Sequence, residues 1–254
     1  MSRDGRAQGR LLRLALAVPL LVLLSGCCRP CPPCRTPTPA RPTPAAVTLT
    51  PEQRVAVDWI RRARAAEPTV TPRLQAIAEQ EGGELVGLEH KIKTLPSTIS
   101  KLRRIRAKDP ETPLASIEVY DALRYTMLIP DDPPGQHDAG IHDTLQALEA
   151  AGLQVRKVKN YWPRGDSYSG TNCTVATADG LPWELQFHTP ASYEAKSAVH
   201  DDYDRMRSPR TPVEEQRRLF EQMKEMWETV PIPDGVLVPG SLHAVEEIRL
   251  LPAP

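Results

Sequence analysis

"CTVATADGLPWELQFHTP", residues 173–190, reads as a β-hairpin. Two runs of strand formers, CTVATA and LPWELQFHT, flank Asp179-Gly180, a dipeptide suited to a tight hairpin turn. Side chains alternate along a strand, so Trp183, Leu185 and Phe187 point to one face and Glu184, Gln186 and His188 to the other. A row of Glu, Gln and His on one face is more polar chemistry than a solvated sheet requires. An antiparallel hairpin in the middle of a chain that otherwise mixes strands and helices predicts the α+β class: one mixed β-sheet flanked by helices.

The flanking elements follow from local signals. Thr50-Pro51-Glu52-Gln53 carries a capping-box pattern with Pro at the first helical position, and Val55, Val57, Ile60 and Ala63 supply an apolar stripe. Thr71-Pro72 predicts the start of a second helix, ended by Gly82-Gly83. Glu84 to Ile92 suits a strand. Pro96 to Ile105 suits a short helix with Ile99 and Leu102 inward, and Ala122 to Ile129 is rich in strand formers. Asp143 to Ala151 is helical and stops at Gly152; Leu153 to Val158 alternates as a half-buried strand does. Thr189-Pro190 and Thr211-Pro212 each open a helix, and the tail "VPIPDGVLVP" suggests a loop and an edge strand.

Two more segments concentrate polar chemistry. In "EHKIKTLPSTISKLRR", Lys91 and Lys93 share one face of an extended segment, and Ser97 and Lys101 stand one helical turn apart. Together these side chains suit a polyphosphate. In "YDALRYTMLI", Asp121 precedes an apolar strand and Arg124 lies inside it.

The N-terminus sets a location. Arg3, Arg6, Arg10 and Arg13 precede an apolar run from Leu14 to Leu24, the pattern of a secretory signal. Leu24-Ser25-Gly26-Cys27 resembles a bacterial lipobox, which makes Cys27 the lipidated first residue of the mature chain. Cys28, Cys31 and Cys34 follow among prolines. Their spacing suits a metal, but no second cluster completes a shell, so oxidised or acylated thiols are the alternative. Cys173 suits a core strand. The expected organisation is a signal peptide over 1–26, a Pro-rich tether over 27–50, and one domain over 51–254. The chain has 32 basic and 32 acidic residues, so no global basic field argues for a DNA partner.

The succession "HKIKTLPSTISKL … DALRYTMLI … VKNYWPRGDSYSGTN … WELQFHTPASYEAKSAVHDDY" resembles the synthetase domain of RelA/SpoT-type alarmone synthetases over roughly residues 83–207, in the divergent, toxin-like branch. The resemblance implies a nucleotidyltransferase-like fold and a diphosphotransferase of the (p)ppGpp or (p)ppApp synthetase kind. It would move pyrophosphate from ATP to the 3′-hydroxyl of a purine nucleotide. Lys91, Lys93 and Lys101 would hold the ATP phosphates, with Ser97 beside them. Asp121 would ligate Mg²⁺ and Arg124 would steady the triphosphate. Tyr168 would stack on the acceptor base. Glu184 would assist the attacking hydroxyl and the metal, while Gln186, His188 and His200 would shape the site. The sequence departs from the family in the loop "PRGDSYSGTN", where Asn172 replaces a His and Ser167-Tyr168 replaces Gly-Tyr. His188 also replaces the arginine of "ExQxRT". These departures fall on the acceptor side, and no HD-type hydrolase domain is present.

ATP chemistry and an export signal conflict. A lipoprotein toxin resolves the conflict: anchored at the cell envelope (the outer membrane in a diderm), it would act in the cytoplasm of a recipient cell, and its producer would need an immunity protein. The alternatives are a non-catalytic surface lipoprotein that keeps the fold to bind a nucleotide or partner, and a transferase acting on a tRNA end.

Overall fold

Thr50 caps the first helix as its sequence predicts. Its Oγ1 accepts from the Gln53 N–H at 3.2 Å, and Gln53 Oε1 accepts from the Thr50 N–H at 2.8 Å. The computed structural model describes residues 48–163, 167–208 and 210–238. The predicted signal peptide and Cys27, Cys28, Cys31 and Cys34 lie outside these, as do three residues of the loop before Tyr168.

Helix α1 runs unbroken from Pro51 to Gln80, through Pro68 and Pro72, so no second helix begins at Thr71-Pro72. A proline inside a helix costs about 3 kcal/mol or more through its missing N–H and its clash with the preceding turn. Both prolines lie on the exposed face. Trp59, Ile60, Val70, Leu74 and Ile77 are buried along the other face. Burying each large apolar side chain contributes roughly 1.5–3 kcal/mol, so packing outweighs the local break. Val57, expected in this stripe, is 40% exposed.

The remaining elements are β1 (Glu84–Val86), α2 (Leu95–Lys108), β2 (Arg124–Leu128), α3 (Gln136–Ala150), β3 (Gln154–Asn160), β4 (Thr171–Ala176), β5 (Pro182–His188), α4 (Pro190–Ala198), α5 (His200–Met206) and α6 (Val213–Glu228). The strand expected over Glu84–Ile92 stops at Val86. Gly87 adopts a φ of 63°, which favours glycine, and turns the chain into a 3-10 turn over Leu88–His90. Residues 231–238 form a loop and turn, not the expected edge strand. Helix α5 gave no separate sequence signal. Pro212, not Thr211, is the N-cap of α6.

The sheet has five strands in the order β1-β2-β5-β4-β3. Strands β4 and β5 form the predicted hairpin, with Gly180 at φ 84° in its turn. Strand β5 pairs parallel with β2, and the other pairs are antiparallel, so the sheet is mixed and the class α+β. The two faces of β5 have different partners. Trp183 meets Tyr125 edge-on at 5.5 Å. The Tyr125 hydroxyl lies 2.7 Å from Thr71 Oγ1 on α1, and Thr144 of α3 reaches Met127 Sδ at 3.7 Å. Helices α1 and α3 thus seal the face carrying Tyr125, Met127, Trp183, Leu185 and Phe187, all at most 1% exposed. Cys173 is buried and unpaired, as a core residue. The opposite face of β5 carries Glu184, Gln186 and His188.

Candidate active site

Asp121 does not lie on a strand. It sits in a 3-10 turn, Tyr120–Ala122, just before β2. Two backbone bonds moor that turn to the preceding segment: Lys93 N–H donates to Ala122 O at 3.0 Å, and Arg124 N–H to Lys91 O at 2.8 Å. The carboxylate then receives two ammoniums. Lys101 Nζ donates to Oδ1 at 2.6 Å, and Lys93 Nζ lies 3.1 Å from Oδ2. All three side chains are at most 20% exposed. Burial by itself would raise the Asp121 carboxyl, but Lys101 and Lys93 outweigh it and hold it below the usual carboxylate range. Burial lowers Lys101, opposed by Asp121. Lys101 also stands 4.1 Å over the Tyr120 ring. Burial, with Glu184 and Asp121 nearby, pushes the Tyr120 hydroxyl up to about 12.

Lys91 and Lys93 do not share a face. The 3-10 turn ends at Lys91, in helical backbone geometry, so period-two alternation is lost. Lys91 Nζ lies 3.5 Å from Glu67 on α1, away from Asp121. Ser97 is exposed and takes a hydrogen bond from Thr94, the N-cap of α2, at 3.0 Å.

Glu184, Gln186 and His188 line up across the sheet. On β2 their register partners are Arg124, Thr126 and Leu128; on β4, Thr174 and Asn172 stand beside Glu184 and Gln186. Glu184 Oε2 accepts from Gln186 Nε2 at 3.1 Å. Burial, then the Asp121 charge, raises the Glu184 carboxyl, and Arg124, Lys101 and Lys196 oppose the rise. Asp121 and Glu184 therefore feel each other across one polar site, with Lys101 acting on both.

Lys196, on α4, escaped the sequence reading. Its Nζ donates to Gln186 Oε1 at 2.6 Å and to Thr126 Oγ1 at 3.2 Å. Burial and the neighbouring Arg124 push it down to about 7, with Glu184 opposing. Its signal was present: Ser192 and Lys196 stand one turn apart after the Thr189-Pro190 start, so both face the strand that precedes them.

His188 is fully buried. Burial drives it well below the ordinary histidine value, followed by Lys196, so the ring is neutral. Its Nδ1 lies 2.9 Å from Ser192 Oγ and its Nε2 3.0 Å from the Tyr168 hydroxyl. Tyr168 donates to Asn172 Oδ1 at 2.7 Å. The Tyr168 ring meets Tyr161, His188 and Trp227 edge-on, at 5.4–5.5 Å between centroids. His200 begins α5, is exposed, and faces Asp204 at 4.0 Å; it is not bonded into this network.

Among the described residues, no group of three or more His, Cys, Asp or Glu comes together as a metal site. A cleft of about 450 Å³ lies elsewhere, between α2, α5 and α6, with Arg104, Arg207 and Arg217 in its walls; none of the residues above lines it.

No family model matches the chain, and no curated protein matches it. Solved structures do. The Type VI effector Tas1, solved in complex with its immunity protein, is 19% identical, with 72% of this chain and 98% of that chain covered and a TM-score of 0.43. The small alarmone synthetase 2 from Bacillus subtilis is 15% identical over 68% and 90%, at a TM-score of 0.46. A GTP pyrophosphokinase family protein from Streptococcus pneumoniae is 16% identical over 71% and 89%, at 0.45.

Proposed function

We propose that the chain is an ATP-dependent diphosphotransferase that moves pyrophosphate from ATP to the 3′-hydroxyl of a purine nucleotide, and that it acts as an exported, lipid-anchored toxin. One observation carries the enzymatic part. Lys93 and Lys101 converge on Asp121 next to the Arg124–Glu184 register pair. That arrangement sets cations and two carboxylates of opposed electrostatic character in one polar site.

The chemistry follows from these groups. The acceptor hydroxyl attacks the β-phosphorus of ATP, the bond from that phosphorus to the α,β-bridging oxygen breaks, and AMP leaves with the oxygen. The hydroxyl proton goes to Glu184, whose carboxyl is raised above the usual range by burial, which makes it a stronger proton acceptor. Lys93, Lys101 and Arg124 neutralise the triphosphate and the charge that gathers on AMP. The mutual repulsion of Asp121 and Glu184 is what a divalent cation would relieve. Mg²⁺ takes one or two carboxylates and completes its shell with phosphates and water, so these two residues fit it and need no third. When bound there, the ion would supply charge neutralisation at the phosphates.

The lipobox at Cys27 and the proline-rich tether support export, and a toxin acting in a recipient cell gives an exported chain access to ATP. A producer would then carry an immunity protein. Incubating the full chain with ATP, Mg²⁺ and a panel of guanosine and adenosine nucleotides tests the activity. Release of AMP in step with a 3′-pyrophosphorylated product is expected. ATP left intact with every acceptor refutes it.

A further inference from the structure

We propose that Lys196 is a positioning residue for the Glu184 carboxylate, acting through the side-chain amide of Gln186. This rests on reading the Glu184 row as the active site. An ammonium or amine nitrogen in contact with an amide oxygen fixes which end of that amide faces which way. Lys196 donates to Gln186 Oε1 at 2.6 Å, so Gln186 Nε2 is turned to Glu184 Oε2, at 3.1 Å. Thr126 Oγ1, at 3.5 Å from the same Oε1, is too distant to hold the amide alone. The second Lys196 bond, to Thr126 at 3.2 Å, anchors the amine to β2, so the lysine spans β2 and β5 two register pairs beyond Arg124 and Glu184. Helix α4 fixes the amine's origin, because its cap, Thr189, directly follows β5. The result is a chain of fixed dipoles, Lys196 to Gln186 to Glu184, that leaves the other carboxylate oxygen free of the Gln186 bond. A neutral lysine still donates, so the role does not depend on its charge. A bare structural brace would tie the two strands without setting the carboxylate. A phosphate ligand would act on ATP and not through Gln186.

Three variants of the full-length chain separate these roles: Lys196→Met, which keeps the stem, Gln186→Met, which removes the amide, and the double variant. Each single change is expected to lower kcat on the order of 10- to 100-fold, the usual effect of a misplaced catalytic group, with KM for ATP within about threefold. The double variant is expected to be no slower than the slower single, because both break one chain. A raised ATP KM at unchanged kcat overturns the proposal in favour of a phosphate ligand; multiplying effects overturn it in favour of independent roles. If Lys196→Met does not fold, a normal kcat in Gln186→Met overturns it as well. A second readout needs no turnover. In a chain labelled at glutamine amides, the Gln186 Nε2 signal is identified by its loss in Gln186→Met. It is expected to be protected from exchange in the wild type and exposed in Lys196→Met. An unchanged signal overturns the link. A wild-type chain with no transfer activity refutes the proposed function and leaves this amide test standing.

Discussion

Replacing Glu184 by Gln removes one charge and almost no volume, so it separates chemistry from folding. The Gln186 Nε2 donor, 3.1 Å away, keeps an acceptor, because the new amide also presents an oxygen. Removing the carboxylate relieves its repulsion from Asp121 and forfeits its attraction to Arg124, Lys101 and Lys196. These oppose one another, so the thermal midpoint is expected to stay within about 3 °C. Lys196, already pushed to about 7 with Glu184 holding it up, moves lower still. Catalysis has no such compensation. A positioned base contributes about 10²–10⁴-fold, and the same carboxylate is one of two that fit the cation. A loss on the order of a thousandfold, about 4 kcal/mol of transition-state stabilisation, is expected. AMP release by the purified chain, with growth inhibition on cytoplasmic expression alongside, measures it. Glu184→Gln within about tenfold of wild type in both assays removes Glu184 as the base.

Asp121→Ala leaves Lys93 and Lys101 side by side without their counter-ion; a loss of about 3 kcal/mol is expected from urea unfolding, and an unchanged midpoint means the bridges contribute nothing. In Gly170→Ala the new Cβ stands 2.8 Å from His188 Cε1 and 2.9 Å from the Tyr168 hydroxyl, so a cost of about 1–3 kcal/mol and a displaced Tyr168 are expected. Full stability in that variant shows the His188–Tyr168 contact to be soft. Lys196 titrates near 7 when folded and near 10.4 when unfolded, so between those values the unfolded chain binds more protons and stability rises with pH. Thermal melts across pH 7 to 10 are expected to show a smaller rise in Lys196→Met than in wild type; parallel curves refute the shift. Cys27→Ser is expected to leave the precursor unlipidated and outside the membrane fraction; an unchanged fraction refutes the lipobox reading.

What was legible in the sequence was what local rules decide. Thr50 and Thr189 announced their helices because a cap needs only residues three positions apart. The row Glu184, Gln186, His188 followed from period two within one strand. Where tertiary packing decided, local rules failed. Thr71-Pro72 read as the start of a second helix, yet a buried stripe carries α1 past Pro72. Lys91 and Lys93 read as one face, yet the turn after Gly87 sends Lys91 to α1. Lys196 had a local signal in its spacing from Ser192, but its bridge to Thr126, 70 residues earlier across a parallel strand pair, is announced by no local pattern.

That parallel pair has a consequence for when the chemistry exists. Register partners on β2 and β5 are 60 residues apart, as Thr126 and Gln186 are, with β3 and β4 threaded between them in the chain. Closing so long a loop is entropically unfavourable until the strands have packed, so contacts of this kind form late in folding. A nascent chain that has emerged only as far as Arg124 holds Lys93, Lys101 and Asp121 but no base. An unfolded chain holds none of the constellation at all. On the proposed reading, activity is deferred by topology until β5 inserts beside β2.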